Sequence, residues 1–176
     1  MNVFWRCGYE HSSLDLLMRE MRIARQSLYD TFGDKRALYL KALRQYRDND
    51  HLRLRCLFAS GQPVKNGFAT ILFGISSESR EEHERGCLLL SANMERDAKD
   101  KVIAEFLLDN QLKIEAIFTD ALQRGQARGE VSAGQDPAAL ARFFVATIQG
   151  MRAMAKLNSN PKALEQVAKL ALSTLS

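Results

Sequence analysis

Cysteine, proline and tryptophan are scarce in this chain: its 176 residues hold three, three and one of them. Cys7, Cys56 and Cys87 are odd in number and far apart. That spacing matches neither a disulfide framework nor a zinc site and suits a reducing compartment. They read as small buried hydrophobes, with a redox-sensing thiol as the alternative. Alternating apolar and polar runs are missing, so strands are not expected. No apolar run approaches the roughly 18 residues of a membrane span. The opening MNVFWRCGYE has no basic stretch leading into an apolar one, so no secretory signal is expected and the predicted location is the cytoplasm.

Sequence patterns of catalysis are missing too. There is no G-x-S-x-G, P-loop, G-x-G-x-x-G or H-E-x-x-H. His11, His51 and His83 are scattered and read as surface residues. EEHE at 81–84 gathers carboxylates around an imidazole, but inside a charged connection, where a solvated loop is the better reading than a metal site. No enzyme, metal or cofactor is expected.

What the chain does have is helical pattern and an uneven charge. Residues 1–55 hold 11 Lys/Arg and 7 Asp/Glu, a net of +4, and the remaining residues hold 14 of each. A local basic surplus fits a phosphate-bearing partner, although a solvated basic surface would look the same. The apolar spacing predicts about nine helices and an all-α fold without repeats. Met1 to Cys7 resembles the end of a helix, stopped by Gly8. Ser12 or Ser13 starts the next, with Leu14, Leu17, Met18 and Met21 on one face. A short helix follows from about Arg25 to Phe32, and Gly33-Asp34 separates it from a helix over 35–59 with Leu38, Ala42, Leu43, Tyr46, Leu52 and Leu57 inward. Further helices are predicted over 63–76, 86–95 and about 97–124, the last ending at Gly125 and Gly129. Asp136-Pro137 and Asn160-Pro161 are strong start signals for the final two.

The stretch MRIARQSLYDTFGDK, 21–35, has an odd balance. Its short helix offers Leu28, Tyr29 and Phe32 to a core and Arg25, Gln26 and Ser27 to solvent. Two helices joined by a tight turn, the second short and polar outside, form a helix-turn-helix. Arg25 suits guanine O6/N7 or a phosphate, Gln26 suits adenine N6/N7, and Ser27 suits either. Tyr29 and Lys35, with the helix N-termini near Ser13 and Asp34, suit phosphates.

GYEHSSLDLLMREMRIARQSLYDTFGDKRALYLKAL resembles the DNA-binding region of the TetR family of transcriptional regulators. The match covers about residues 1–45 and is strongest in SLYDTFGDKRALY, at Leu28, Tyr29, Phe32, Gly33, Lys35 and Leu38. RGCLLL (85–90) and QGMR (149–152) resemble segments of many members. The resemblance implies a helix-turn-helix head over 1–45 and a ligand-binding and dimerisation domain over 46–176. It implies a ligand-responsive repressor that binds a double-stranded operator as a homodimer and is released by a small inducer, apolar or amphipathic because the helical interior carries few charges. Candidate pocket residues are Phe58, Phe68, Leu72, Met94, Phe106, Phe118, Phe144 and Gln149, each of which would also serve as ordinary core.

The last two helices are the expected twofold interface. Between Ala138 and Ala155 the only charges are Arg142 and Arg152, and a helix apolar on every side is buried on every side. Leu140, Phe143, Ile148, Met151 and Met154, with Leu164, Val167, Ala168, Ala171 and Leu175, are the candidates, closure of the monomer core being the alternative. Three departures from the family pattern stand out. Turns of helix that members have before FWRCGYE are absent, so the first helix is expected to be incomplete. Arg22 stands where the family has Gly, and Ala24 where it has a Ser/Thr cap. These departures keep a second reading open: a dimeric ligand-binding protein of the same fold whose head no longer holds operator.

Overall fold

The computed structural model describes residues 1–97 and 100–175. Among them are ten helices and no strand: α1 Asn2–Cys7, α2 Leu14–Met21, α3 Arg25–Phe32, α4 Lys35–Ala59, α5 Val64–Ser77, α6 Arg80–Arg85, α7 Leu88–Glu95, α8 Lys101–Ala127, α9 Pro137–Leu157 and α10 Pro161–Ser173. No helix among the described residues is long and apolar enough to cross a membrane. The chain divides into two compact units, Met1–Asp50 with Cys87–Leu107, and His51–Gly86 with Leu108–Ser176.

In the first unit, Val3, Phe4, Leu17, Leu28, Leu38, Tyr39 and Leu43 form one buried cluster with Leu88, Leu89, Ala92, Ile103 and Leu107. The α7 stretch and the start of α8 are therefore core of the same unit as α1 to α3. Aromatic residues of α1 and the turn after it pack on α4. Phe4 and Tyr9 both pack on Tyr39, at 5.0 and 4.8 Å between centroids, and Trp5 meets Tyr46 edge-on at 4.8 Å. Such pairs add about 0.5–1.5 kcal/mol beyond the area they bury.

In the second unit α5 packs against α9 and α10, and α6 against α9. Its core is built on Phe68, Leu72, Phe118, Leu122, Phe144, Met151, Leu164 and Ala168. Several expectations change here. Residues 78–85 are not a plain connection. Ser79 and Glu82 form a reciprocal capping box, each holding the other's backbone amide, and start α6. His83 is not at the surface: it is 2% exposed, with Nε2 2.7 Å from the Ile75 carbonyl and Nδ1 2.6 Å from the Ser159 hydroxyl. Both ring nitrogens are thus engaged inside the protein, which removes EEHE as a metal-binding candidate. His51 is likewise buried, 2.9 Å from the Asn110 side-chain oxygen. Leu52, expected inside, is 64% exposed, and Leu54 takes the inward place. Gly125 does not end α8 but lies within it, against Val64 and Val131. The helix stops two residues beyond it, and Gly129, at φ +73°, lies in the turn that follows.

Candidate nucleic-acid interface

The helix-turn-helix is α2 and α3. Ser13 is the N-cap of α2, its hydroxyl accepting from the Leu16 amide at 3.1 Å, while buried Ser12 donates to the Gly8 carbonyl at 2.6 Å. Arg22 closes α2 in the left-handed region, at φ 56° and ψ 42°, and is the one non-glycine residue there among those described. A side chain costs about 1–2 kcal/mol in that conformation, so this departure from glycine carries real strain. At Ala24, the N-cap of α3, no side chain accepts from the first turn, which leaves helix N–H groups open to an outside acceptor.

Only Leu28 of α3 is buried. Arg25, Gln26 and Ser27 are exposed together on its first turn, and Tyr29 is 38% exposed with the Arg25 guanidinium 5.9 Å from its ring centre. The Gln26 amide donates to Asp30 at 2.8 Å, a bond that must open before it can read a base. At the other end of α3, Lys41 donates to the Thr31 carbonyl at 3.3 Å and lies 5.0 Å from the centre of the Phe32 ring. It supplies from α4 the cation that the last turn of α3 lacks. Asp34 caps α4 by accepting from the Ala37 amide at 2.7 Å. Lys35, just inside α4, has its ammonium 4.4 Å from the centre of the Tyr9 ring and 3.4 Å from the Glu10 carbonyl. Neither partner is anionic, so the Lys35 charge is not cancelled by them.

Two carboxylates from later in the chain complete this unit. Glu95, at the end of α7, accepts from the Tyr9 amide at 3.2 Å. Its carboxylate lies so close to Gly8 that a Cβ there would be 2.5 Å from Oε2. Gly8, at φ +74°, is both the stop of α1 and the gap through which Glu95 reaches the backbone. Asp100 accepts two bonds from Arg36, at 2.8 and 3.2 Å, and a third from the Ile103 amide at 3.1 Å. The Arg36 bond first, then the Ile103 amide, hold the Asp100 carboxyl below the usual carboxylate range. Sequence reasoning missed both residues, because nothing local to Glu95 or Asp100 shows that their partners lie more than 60 residues away.

Residues 69–171 match the family described as Tetracyclin repressor-like, C-terminal domain. The chain belongs to the TetR family. This TetR-family chain is 29% identical over 178 residues to YezE of Bacillus subtilis (strain 168), named an uncharacterized HTH-type transcriptional regulator, across 99% of this chain and 91% of the relative. It is 28% identical to the HTH-type transcriptional repressor ComR of Escherichia coli (strain K12), across 96% and 81%. Among solved structures it is similar to a cysteine mutant of the TetR-family regulator CifR complexed with a 26bp double-strand operator DNA. The TM-score is 0.85 and the identity 27%, with 99% of this chain and 92% of the other covered.

The other sequence-predicted residues of the TetR-family chain are distributed as follows. Phe58, Phe68, Phe118 and Phe144 come together in the second unit, with Phe68 stacked on Phe144 at 4.0 Å and 5.1 Å from Phe118. Leu72 is buried in the same cluster. They touch one another as core rings. Met94, 73% exposed, and Phe106 belong to the first unit, and Gln149 is exposed. Helical phase turns Gln149 outward on α9. Of the interface candidates, Met151, Leu164, Ala168, Ala171 and Leu175 are at most 2% exposed inside their own chain. They are monomer core, since α5 packs on α10 and occupies the face that the sequence left open. Leu140, Ile148 and Val167 are partly buried against that core, and Phe143 and Met154 are 41% and 43% exposed.

Proposed function

We propose that this TetR-family chain is a repressor that grips operator DNA as a homodimer and lets go when its second unit takes up a small apolar or amphipathic molecule. The observation that carries the DNA part is the face of α3: eight residues with one buried, and Arg25, Gln26 and Ser27 exposed side by side. A two-turn helix gains little stability by itself, and these side chains are those that read base edges in a major groove about 12 Å wide. Arg25, Gln26 and Ser27 then face bases, while Tyr29, Lys35 and the α2 N-terminus at Ser13 hold backbone phosphates. The operator-bound CifR complex, named for a relative of 27% identity, supports this reading, as does ComR, named a repressor.

The dimer is supported by a stripe on α9. Ala139, Phe143, Ala146, Gly150, Ala153 and Leu157 recur at three- and four-residue spacing and all are exposed, as is Met154 beside them. Four small residues in such a row, together with Phe143 and Leu157, let a second helix approach closely. The inducer is supported by the apolar interior of the second unit. Its rings touch one another, so a ligand would part Phe58, Phe68 and Phe118 as it enters.

Selection from random duplex DNA tests the proposal. Recovery of one sequence class is expected. Gln26→Ala should then cost about 1–3 kcal/mol on that sequence and little on others. Lys35→Ala should weaken all duplexes alike and lower the salt dependence by about one counterion per head. Failure to bind any duplex at low salt rules out the regulator and favours a ligand-binding protein of the same fold, the reading for which strained Arg22 and uncapped Ala24 argue.

A further inference from the structure

We infer that Glu95 and Asp100 are positioning residues that set Lys35 for its hold on DNA, an inference that rests on the proposal that Lys35 grips a phosphate. Five contacts carry it, all within the first unit. Lys35 lies on the Tyr9 ring and the Glu10 carbonyl. The Tyr9 amide is held by Glu95, which reaches it through the space left by Gly8. Arg36, the next residue along from Lys35, is held through two nitrogens by Asp100. Asp100 is itself fixed by the Ile103 amide at the start of α8, where Ile103 and Leu107 are buried in the core of the unit.

Lys35 thus lies between two groups that distant carboxylates hold: the Tyr9 backbone, held by Glu95, and the Arg36 side chain, held by Asp100. Arg36 occupies the first turn of α4, where the helix dipole disfavours a cation, and Asp100 offsets that charge. Two acidic groups hold Tyr9, which Lys35 touches, and Arg36, its chain neighbour, although plain electrostatics would keep acidic groups away from a phosphate-binding surface. Holding the α1–α2 junction and the α4 N-terminus in register is a reason for them to be there. A change in the position of α7 or the α8 start would reach Lys35 through these two ties, which makes them the points at which the second segment of the unit, Cys87–Leu107, acts on DNA affinity.

The sign of the effect tests this. Removing a negative charge near DNA raises affinity and steepens its salt dependence if charge alone matters. The positioning role gives the opposite. Full-length Asp100→Asn and Glu95→Ala should each bind the selected duplex and a scrambled duplex of equal length about three- to tenfold more weakly. The salt dependence should fall toward that of Lys35→Ala. Glu95→Gln, which keeps an oxygen for the Tyr9 amide, should regain most of the loss. In a Lys35→Ala background neither Asp100→Asn nor Glu95→Ala should cost anything further, an outcome that general destabilisation of the head would not produce. Tighter binding, unchanged binding, or losses that add to that of Lys35→Ala would each overturn the assignment. An unaltered chain that binds neither duplex would remove the DNA-binding reading itself, and the positioning role with it.

Discussion

Gly125 of α8 and Val64 of α5 touch so closely that a Cβ on Gly125 would lie 2.7 Å from the Val64 Cγ1. The glycine is a packing residue within a helix, and its missing side chain lets α5 begin against α8. Gly125→Ala is therefore expected to lower stability by about 1–3 kcal/mol, the usual range for overpacking, although alanine is the better helix former. Gly74 of α5 meets nothing within 4 Å of an added Cβ, so Gly74→Ala should instead gain about 0.5–1 kcal/mol. Urea midpoints of the two variants moving in the same direction would refute the packing role.

Arg22→Gly is expected to stabilise the first unit by up to about 1 kcal/mol, by releasing the left-handed strain. The turn itself should persist, because its closing bonds are backbone ones: the Arg22 amide to Arg19 and Met18, and the Ile23 amide to Met18. Urea unfolding read from the single tryptophan, Trp5 in α1, reports on this unit. A stability loss would show that the Arg22 side chain does something its backbone conformation does not reveal.

The head was legible because its signals are local. Gly33 ends α3, Asp34 caps α4, and Leu28 and Phe32 turn to the core as their spacing predicts, whereas Tyr29, expected with them, is 38% exposed. The second unit was legible as helices but not in its facing. Met151 and Met154 are both apolar on α9, and only the neighbouring helices decide that the first is 1% and the second 43% exposed. His83 was hidden for the same reason. REEHER is charged at every position but the histidine, and one inward residue on a six-residue helix leaves no periodicity to detect. Glu95 and Asp100 required contacts that sequence spacing does not encode.

Glu130 gives a pH-dependent check on the second unit. Its carboxylate takes the Arg128 guanidinium and the Val64 amide, the latter at 2.7 Å, where it satisfies a first-turn donor of α5. The Arg128 bond first, then the Val64 amide, lower its pKa. A lowered folded-state pKa means stability that is present above the ordinary glutamate range, about 4.3, and is lost as pH falls through the folded value. The unaltered chain should therefore lose more stability between about pH 5 and pH 3 than Glu130→Gln does. Parallel curves for the two proteins over that range would rule out the linkage.

The pair Met151 and Met154 separates dimer from core. Three residues apart on α9, they differ in what covers them: Met151 is enclosed by its own chain, while Met154 lies beside the exposed stripe of Ala146, Gly150, Ala153 and Leu157. A glutamate at the buried position places an unpaired charge in the monomer core, a change that costs several kcal/mol. Met151→Glu should thus lose helical signal or cooperative unfolding whatever the oligomeric state. Met154→Glu leaves the monomer core untouched and puts a charge from each chain into the apolar face proposed as the interface. It should stay folded and helical while its mass by light scattering falls from two chains to one. If the proposed dimer brings two heads to one operator, affinity for the selected duplex should fall far more than affinity for a single half-site. A Met154→Glu protein that remains dimeric, or an unaltered chain that is monomeric at the same concentration, would show that α9 does not form the interface.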